Sequence, residues 1–173
     1  MLLRERNRNR LKDFDYSTAG YYFVTICTKY MQEWFGDVVE GKMMLNECGR
    51  IVQECWFNLP NHYSNCRLDE FIVMPNHVHG IINLHSNVGN GLKPFPTIQY
   101  SLSEVIRGLK TFSSRKINKI DKMDRFQWQK SFYDHIIRTE QSLYVIRKYI
   151  RNNPLKWDED RNNPKNLIRS SFR

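Results

Sequence analysis

A chain of 173 residues that is 40% hydrophobic and 13% aromatic can bury a substantial core and is too apolar for a disordered polymer. Its 27 Lys and Arg against 18 Asp and Glu leave a net charge of +9, which suits a polyanionic partner, with nucleic acid the leading candidate. No apolar run approaches the roughly 20 residues that span a bilayer, and Met1-Leu2-Leu3-Arg4 leads into charge rather than a signal-peptide core, so a cytoplasmic protein without membrane contact is expected.

Residues 1–15 carry Arg4, Arg6, Arg8, Arg10 and Lys12 at alternate positions, so an extended arm would line all five cations along one side, as a phosphate backbone requires. Tyr21 to Thr28 is aromatic and β-branched on both faces and reads as a central strand. Trp34 to Leu45 has the pattern of a small hairpin turning at Glu40-Gly41, outside the main sheet. Asn46 is placed to cap a helix whose apolar positions, Ile51, Val52, Cys55, Trp56 and Leu59, recur at helical spacing until Pro60 breaks it. His62 then falls in a loop. The cysteines Cys27, Cys48, Cys55 and Cys66 form no Cys-x-x-Cys pair and read as reduced thiols rather than a zinc site.

Leu68 to Met74 and the apolar run to Leu84 flank Pro75-Asn76 as two antiparallel strands around a turn. Residues 86–100 hold Gly89, Gly91, Pro94 and Pro96 and read as a flexible loop. Ser101-Leu102-Ser103-Glu104 fits a capping box for a helix continuing through Leu109 and Phe112. The other side of that helix carries Arg107, Lys110, Arg115, Lys116 and Lys119, read as a DNA groove. Phe126 to Arg138 reads as an aromatic strand on which Trp128 and Phe132 share a face; rings beside cations can stack bases, but each ring taken singly reads first as core packing. Thr139 or Glu140 starts a last helix buried along Leu143, Ile146 and Ile150. Tyr149 and Asn153 fall together at one edge of that stripe, with Arg147, Lys148 and Arg151 beyond the other. Residues 158–173 read as a polar frayed tail.

This order of strand, helix, two strands, helix, strand and terminal helix matches a split β-α-β pattern. It predicts a single α+β domain, a ferredoxin-like sandwich with helices on an antiparallel sheet and a C-terminal helix carrying Tyr149.

The most chemically loaded stretch is Met74-Pro75-Asn76-His77-Val78-His79-Gly80. On a strand His77 and His79 project from one face on roughly 7 Å centres, close enough to share a cation. His85 has the same parity but lies roughly 20 Å along the strand from His79, out of reach.

Together with Gly20-Tyr21-Tyr22-Phe23-Val24-Thr25-Ile26, Phe132-Tyr133-Asp134-His135-Ile136-Ile137 and Tyr149-Ile150-Arg151-Asn152-Asn153-Pro154, this stretch resembles the single-tyrosine HUH transposases, most closely the REP-associated tyrosine transposases, from about Arg8 to Trp157. The resemblance implies the sandwich fold, a tyrosine nucleophile at Tyr149, and a divalent ion, Mg2+ or Mn2+, held by His77, His79 and Asn153. It implies single-stranded or hairpin DNA as the partner, contacted partly by the N-terminal arm, and a monomer or homodimer. Both imidazoles must be neutral to bind the ion, so activity is expected to fall below about pH 6. Three other readings carry weight: a DNA-binding module of transposase descent that has lost catalysis, a plasmid replication initiator or relaxase, and an RNA-binding protein, the last leaving the histidines unexplained.

Overall fold

Strand β1 (Gly20–Cys27) is apolar on both faces because both are covered. A computed structural model of the chain describes residues 15–86, 98–121 and 125–166. The main sheet also contains β4 (Cys66–Met74), β5 (His77–Leu84) and β6 (Tyr133–Ile137), in the order β4-β5-β1-β6 with every pair antiparallel. Along β1 and β5 the side chains alternate between two cores. Tyr22, Val24, Ile26, Val78 and Ile82 pack with helices α1 (Glu47–Phe57) and α3 (Leu102–Asp121), whereas Phe23 and Ile81 pack with α4 (Glu140–Asn152). The predicted α+β sandwich is therefore the observed fold, with the tyrosine helix and the His pair on one side of the sheet.

The hairpin of β2 (Gly36–Val39) and β3 (Lys42–Leu45) forms its own two-stranded sheet. Its turn residues Glu40 and Gly41 both have positive φ, 51° and 71°, the geometry that matches the twist of tightly connected strands. Asn46 caps α1 as expected, its side chain accepting from Gly49 N at 3.0 Å. Pro60, however, does not lead into a loop. It sits in the first turn of a short helix α2 (Leu59–His62), where its missing N–H costs nothing, and His62 stacks on Phe112 at 4.9 Å.

The Ser101–Glu104 capping box closes reciprocally, with Ser101 N donating to Glu104 Oε2 at 2.8 Å and Glu104 N donating to Ser101 Oγ at 3.4 Å. The expected strand over Phe126–Arg138 is corrected: only Tyr133–Ile137 pairs as a strand, and Trp128 makes a single bridge with Thr28. At the bridge Lys29 N donates to Gln127 O at 2.8 Å and Gln129 N to Cys27 O at 2.9 Å, and side chains hold the rest of the segment. Asn118 accepts from Phe126 N at 2.9 Å and donates to its carbonyl at 3.2 Å, and Trp128 Nε1 donates to Ser113 Oγ at 2.9 Å. Trp128 and Phe132 are each 8% exposed, so they are core rings and not stacking surfaces for bases.

Thr139 caps α4, accepting from Ser142 N at 3.1 Å, and Leu143 and Ile150 are buried beneath it. Arg147 grips Asp69 through Nε at 2.7 Å and Nη2 at 2.5 Å, and Arg151 Nε lies 3.0 Å from Glu70 Oε2. Both acids sit at the irregularity between Leu68 and Phe71 in the pairing of β4 with β5, so α4 is tied to the sheet where that strand bulges outward.

The frayed tail is the largest correction over residues 158–166, while residues 167–173 lie outside the described residues. Pro154–Glu159 forms a 3-10 helix in which Pro154 and Trp157 are buried, and Asn162 and Asn163 are buried beyond it. Asn163 Nδ2 donates to Trp157 O at 3.0 Å, and Asn76 Nδ2 donates to Asn162 O at 2.8 Å. Asparagines close such turns through their own amides, which leaves no hydrophobic period to read. Among the described residues no helix is long and apolar enough to cross a membrane.

Gly80 follows His79 on β5 and faces α1. A Cβ there would lie 2.4 Å from two ring carbons of Trp56, which is fully buried and stacked on Phe71 at 4.3 Å. Gly80→Ala should lower stability by about 1–3 kcal/mol in a denaturant melt, because the indole has nowhere to retreat. An unchanged midpoint would show that the packing behind the histidines is loose.

Candidate active site

The alternation of β5 brings His77 and His79 to the α4 side, where they are 0% and 1% exposed. Their Nε2 atoms lie 3.0 Å apart. The orientation of His77 follows from its neighbour. Asn76 spends both amide protons on carbonyls, Met31 O at 2.9 Å and Asn162 O at 2.8 Å, so its oxygen must face His77 Nδ1, 2.8 Å away. His77 therefore carries its proton on Nδ1 and offers the Nε2 lone pair. His79 Nδ1 meets Thr25 Oγ1 at 2.9 Å, a hydroxyl that can accept or donate and so permits either tautomer. Phe23 stacks on the His79 ring at 5.4 Å and Trp157 lies against His77 at 5.9 Å.

Helix α4 carries Tyr149 to the same point: its hydroxyl is 3.2 Å from His79 Nε2. One turn on, Asn153 ends the helix, 2% exposed, with Nδ2 3.3 Å from Asp160 Oδ2 and with Oδ1 buried and lacking any hydrogen-bond partner. Asp160 itself approaches the histidines, so that ligand-capable atoms of His77, His79 and Asp160 all lie within 4.8 Å of one another. Two neutral imidazoles and a carboxylate form a mixed nitrogen and oxygen donor set suited to a divalent cation, and Asn153 borders it with a buried amide oxygen still unpaired. The two Nε2 atoms, 3.0 Å apart, are close enough for both imidazoles to serve one ion. The residues fit a metal.

The family model described as "Transposase IS200 like" matches residues 16–153. The chain belongs to the IS200-like transposase family. An uncharacterized protein of Haemophilus influenzae is 35% identical over 171 positions, covering 91% of this chain and 93% of that one. The solved structure of a REP-associated tyrosine transposase bound to a REP hairpin aligns with a TM-score of 0.58 at 16% identity, over 85% of this chain and 73% of that chain, a likeness of fold.

Electrostatics in this IS200-like transposase keep the site neutral and receptive. Burial pushes His77 down to about 4, opposed by Asp160, and pushes His79 well below the usual histidine range, with His77 adding to the effect. Both rings are thus unprotonated well below the pH 6 limit expected from sequence. Burial, and then the negative charge of Asp160, raises the Tyr149 phenol, while Arg161 and a hydrogen bond from Asn153 oppose them. The nucleophile candidate rests protonated.

These shifts imply a stability profile. In the unfolded chain histidines take up protons near pH 6.5, but the buried pair resists until lower pH, so the unfolded state binds more protons across that window. The pair's contribution is fully present above about pH 6.5 and is lost as pH falls toward about 4. In chelator, the melting temperature of the wild type should fall from pH 7 to pH 4.5 more steeply than that of the His77→Gln/His79→Gln double variant. Parallel curves would mean that the two rings titrate normally.

The sequence-predicted DNA contacts fare unevenly. Arg107, Arg115 and Lys116 are exposed on α3, whose buried residues pack against the face of the sheet opposite the histidines. Lys110 is turned to its own chain: its ammonium donates to the carbonyls of Gln129 at 2.8 Å and Ser131 at 2.9 Å and lies 5.7 Å from the Phe132 ring centre, holding an irregular segment together. Arg4, Arg6, Arg8 and Arg10 lie outside the described residues, as does most of the loop expected at 86–100. The structure brings His77, His79, Tyr149 and Asn153 together and adds Asp160, which the sequence reading placed in the tail. Its one advance signal is the acidic run Asp158-Glu159-Asp160 in an otherwise basic chain.

Proposed function

We propose that this IS200-like transposase is an endonuclease and strand transferase of the REP-associated tyrosine kind, cleaving single-stranded or hairpin DNA through a covalent 5′-phosphotyrosine. The observation that carries this reading is the Tyr149 hydroxyl poised 3.2 Å from His79 Nε2, at the point the donor set faces. Attack by the phenol oxygen on phosphorus forms the tyrosyl ester as the bond to the 3′ oxygen breaks; the phenolic proton is released and the departing 3′ oxygen gains one. Because the phosphodiester energy is kept, a 3′-hydroxyl can reverse the step without ATP.

His77, His79, Asp160 and Asn153 would hold Mg2+ or Mn2+, which when bound would supply positive charge at the scissile phosphate. The chain's own residues do the rest. Asn76 fixes the His77 tautomer, Phe23 and Trp157 shield the imidazoles from water, and α4, anchored through Arg147, sets the angle of the Tyr149 ring. Tyr149 is 44% exposed, so a strand can reach it from solvent. The REP hairpin bound by the REP-associated tyrosine transposase of similar fold supports the choice of DNA form.

The deciding experiment is incubation of a labelled single-stranded hairpin with the protein and Mg2+ or Mn2+, read on a denaturing gel. A protein-linked band is expected, and binding that prefers hairpin to blunt duplex and weakens steeply with salt. Tight hairpin binding with no linked band at any metal concentration would favour a non-catalytic DNA-binding protein.

A further inference from the structure

The sheet places one more ring beside the site. In the pairing register Tyr133 of β6 stands opposite Thr25 of β1, which stands opposite His79 of β5, so the three form a row across the strands. Two strand spacings separate the backbones of Tyr133 and His79 by about 10 Å. Helix α4 packs over β4 and β5, and Ile137 at the far end of β6 shares its core, but the Tyr133 end is open: Tyr133 is 42% exposed. Its ring meets Phe23 edge-on at 6.4 Å, and Phe23, itself buried, meets Tyr149 at 6.0 Å, so the two exposed tyrosine rings share one buried aromatic support and line the same surface.

One cation overlooks this surface. Arg161, exposed and directly after Asp160, places its guanidinium 6.0 Å from the centre of the Tyr133 ring, and its charge acts on His77, His79 and Tyr149. An exposed ring with a guanidinium beside it is the pairing that single-strand binders use for a base and its phosphate.

Resting on the function proposed above, we propose that Tyr133 and Arg161 form a nucleotide subsite, in which a base flanking the scissile phosphate stacks on the Tyr133 ring and Arg161 holds the adjoining phosphate. The substrate strand then runs along the β1 and β6 side of α4. None of the α3 cations takes part, since they lie across the sheet.

Binding, not cleavage, tests this. The affinity of a fluorescent single-stranded hairpin is measured for intact DNA and for a series carrying one abasic position each around the cleaved phosphate. In the wild type one abasic position should weaken binding by about 5- to 100-fold, the range of a lost base stack. Tyr133→Ala should weaken binding of intact DNA by a similar factor and erase the penalty at that position, while Tyr133→Phe should retain both. Arg161→Gln should reduce the slope of log affinity against log salt by about one phosphate contact. An abasic profile unchanged by Tyr133→Ala, or an unchanged salt slope in Arg161→Gln, overturns the subsite. A wild type that forms no covalent band but shows this profile would overturn the cleavage reading and leave the subsite standing.

Discussion

Tyr149→Phe should bind hairpin DNA like the wild type and form no covalent adduct, with strand cleavage down on the order of 10⁴-fold or more. The two rings differ by one hydroxyl. Phenylalanine keeps the edge contact with Phe23 and the packing against His79, at 6.0 and 5.2 Å, so the helix has no reason to move. What is lost is the hydroxyl's hydrogen bonding to His79 Nε2 and with Asn153, a cost of about 1 kcal/mol each. A packing role for Tyr149 would therefore leave activity in place, whereas a nucleophilic role leaves nothing to attack. Two other tyrosines are exposed nearby, Tyr144 at 59% and Tyr133 at 42%, and neither should substitute. Tyr144 sits five residues back on α4, about 140° around the helix, and Tyr133 lies two strands from His79. An adduct persisting in the variant, mapped by peptide mass to either ring, would remove Tyr149 from its role.

His77→Ala or His79→Ala should abolish metal-dependent cleavage while changing DNA affinity less than about threefold, since cations supply most of the binding. Each replacement removes a neutral donor that the fold has already oriented, through Asn76 in one case and Thr25 in the other. The oxygen ligands should be graded. Asp160→Asn keeps the shape and the oxygen but removes the charge, and should raise the Mn2+ concentration for half-maximal cleavage by about 10- to 100-fold. Asn153→Ala should be milder, because water can replace one neutral oxygen. If Asp160→Asn titrates with metal like the wild type, the carboxylate only braces Asn153 and Asn162, and the ion is held without it.

Hydrophobic period made the two cores legible from sequence: Tyr22, Val24 and Ile26 against α1 and α3, Leu143 and Ile150 against the other face. The His pair was legible because two residues of one face on a strand cannot avoid meeting. Asp160 was not. It is held by turns that close through asparagine amides, and nothing apolar announces them except Trp157. Trp128 and Phe132 misled for the opposite reason: their spacing is that of a strand, yet beyond the single bridge at Trp128 the surrounding backbone is satisfied by side chains of Asn118 and Lys110 in place of a neighbouring ladder. Lys110 shows why charge alone is a weak guide to DNA contacts, since a lysine pointing from a basic helix face can spend its protons on its own chain.

The bond from the Asn76 amide to the Asn162 carbonyl joins residues 86 positions apart, and Asp160 arrives on the same segment. During synthesis the histidine strand emerges long before that segment does. A chain still attached at residue 150 has its two imidazoles but neither the carboxylate nor the contact that turns Asn76 toward His77. On the proposed function, the complete donor set thus assembles only after the segment through residue 162 has emerged, and a chain cut short before residue 160 should need more metal to cut DNA than the full chain does.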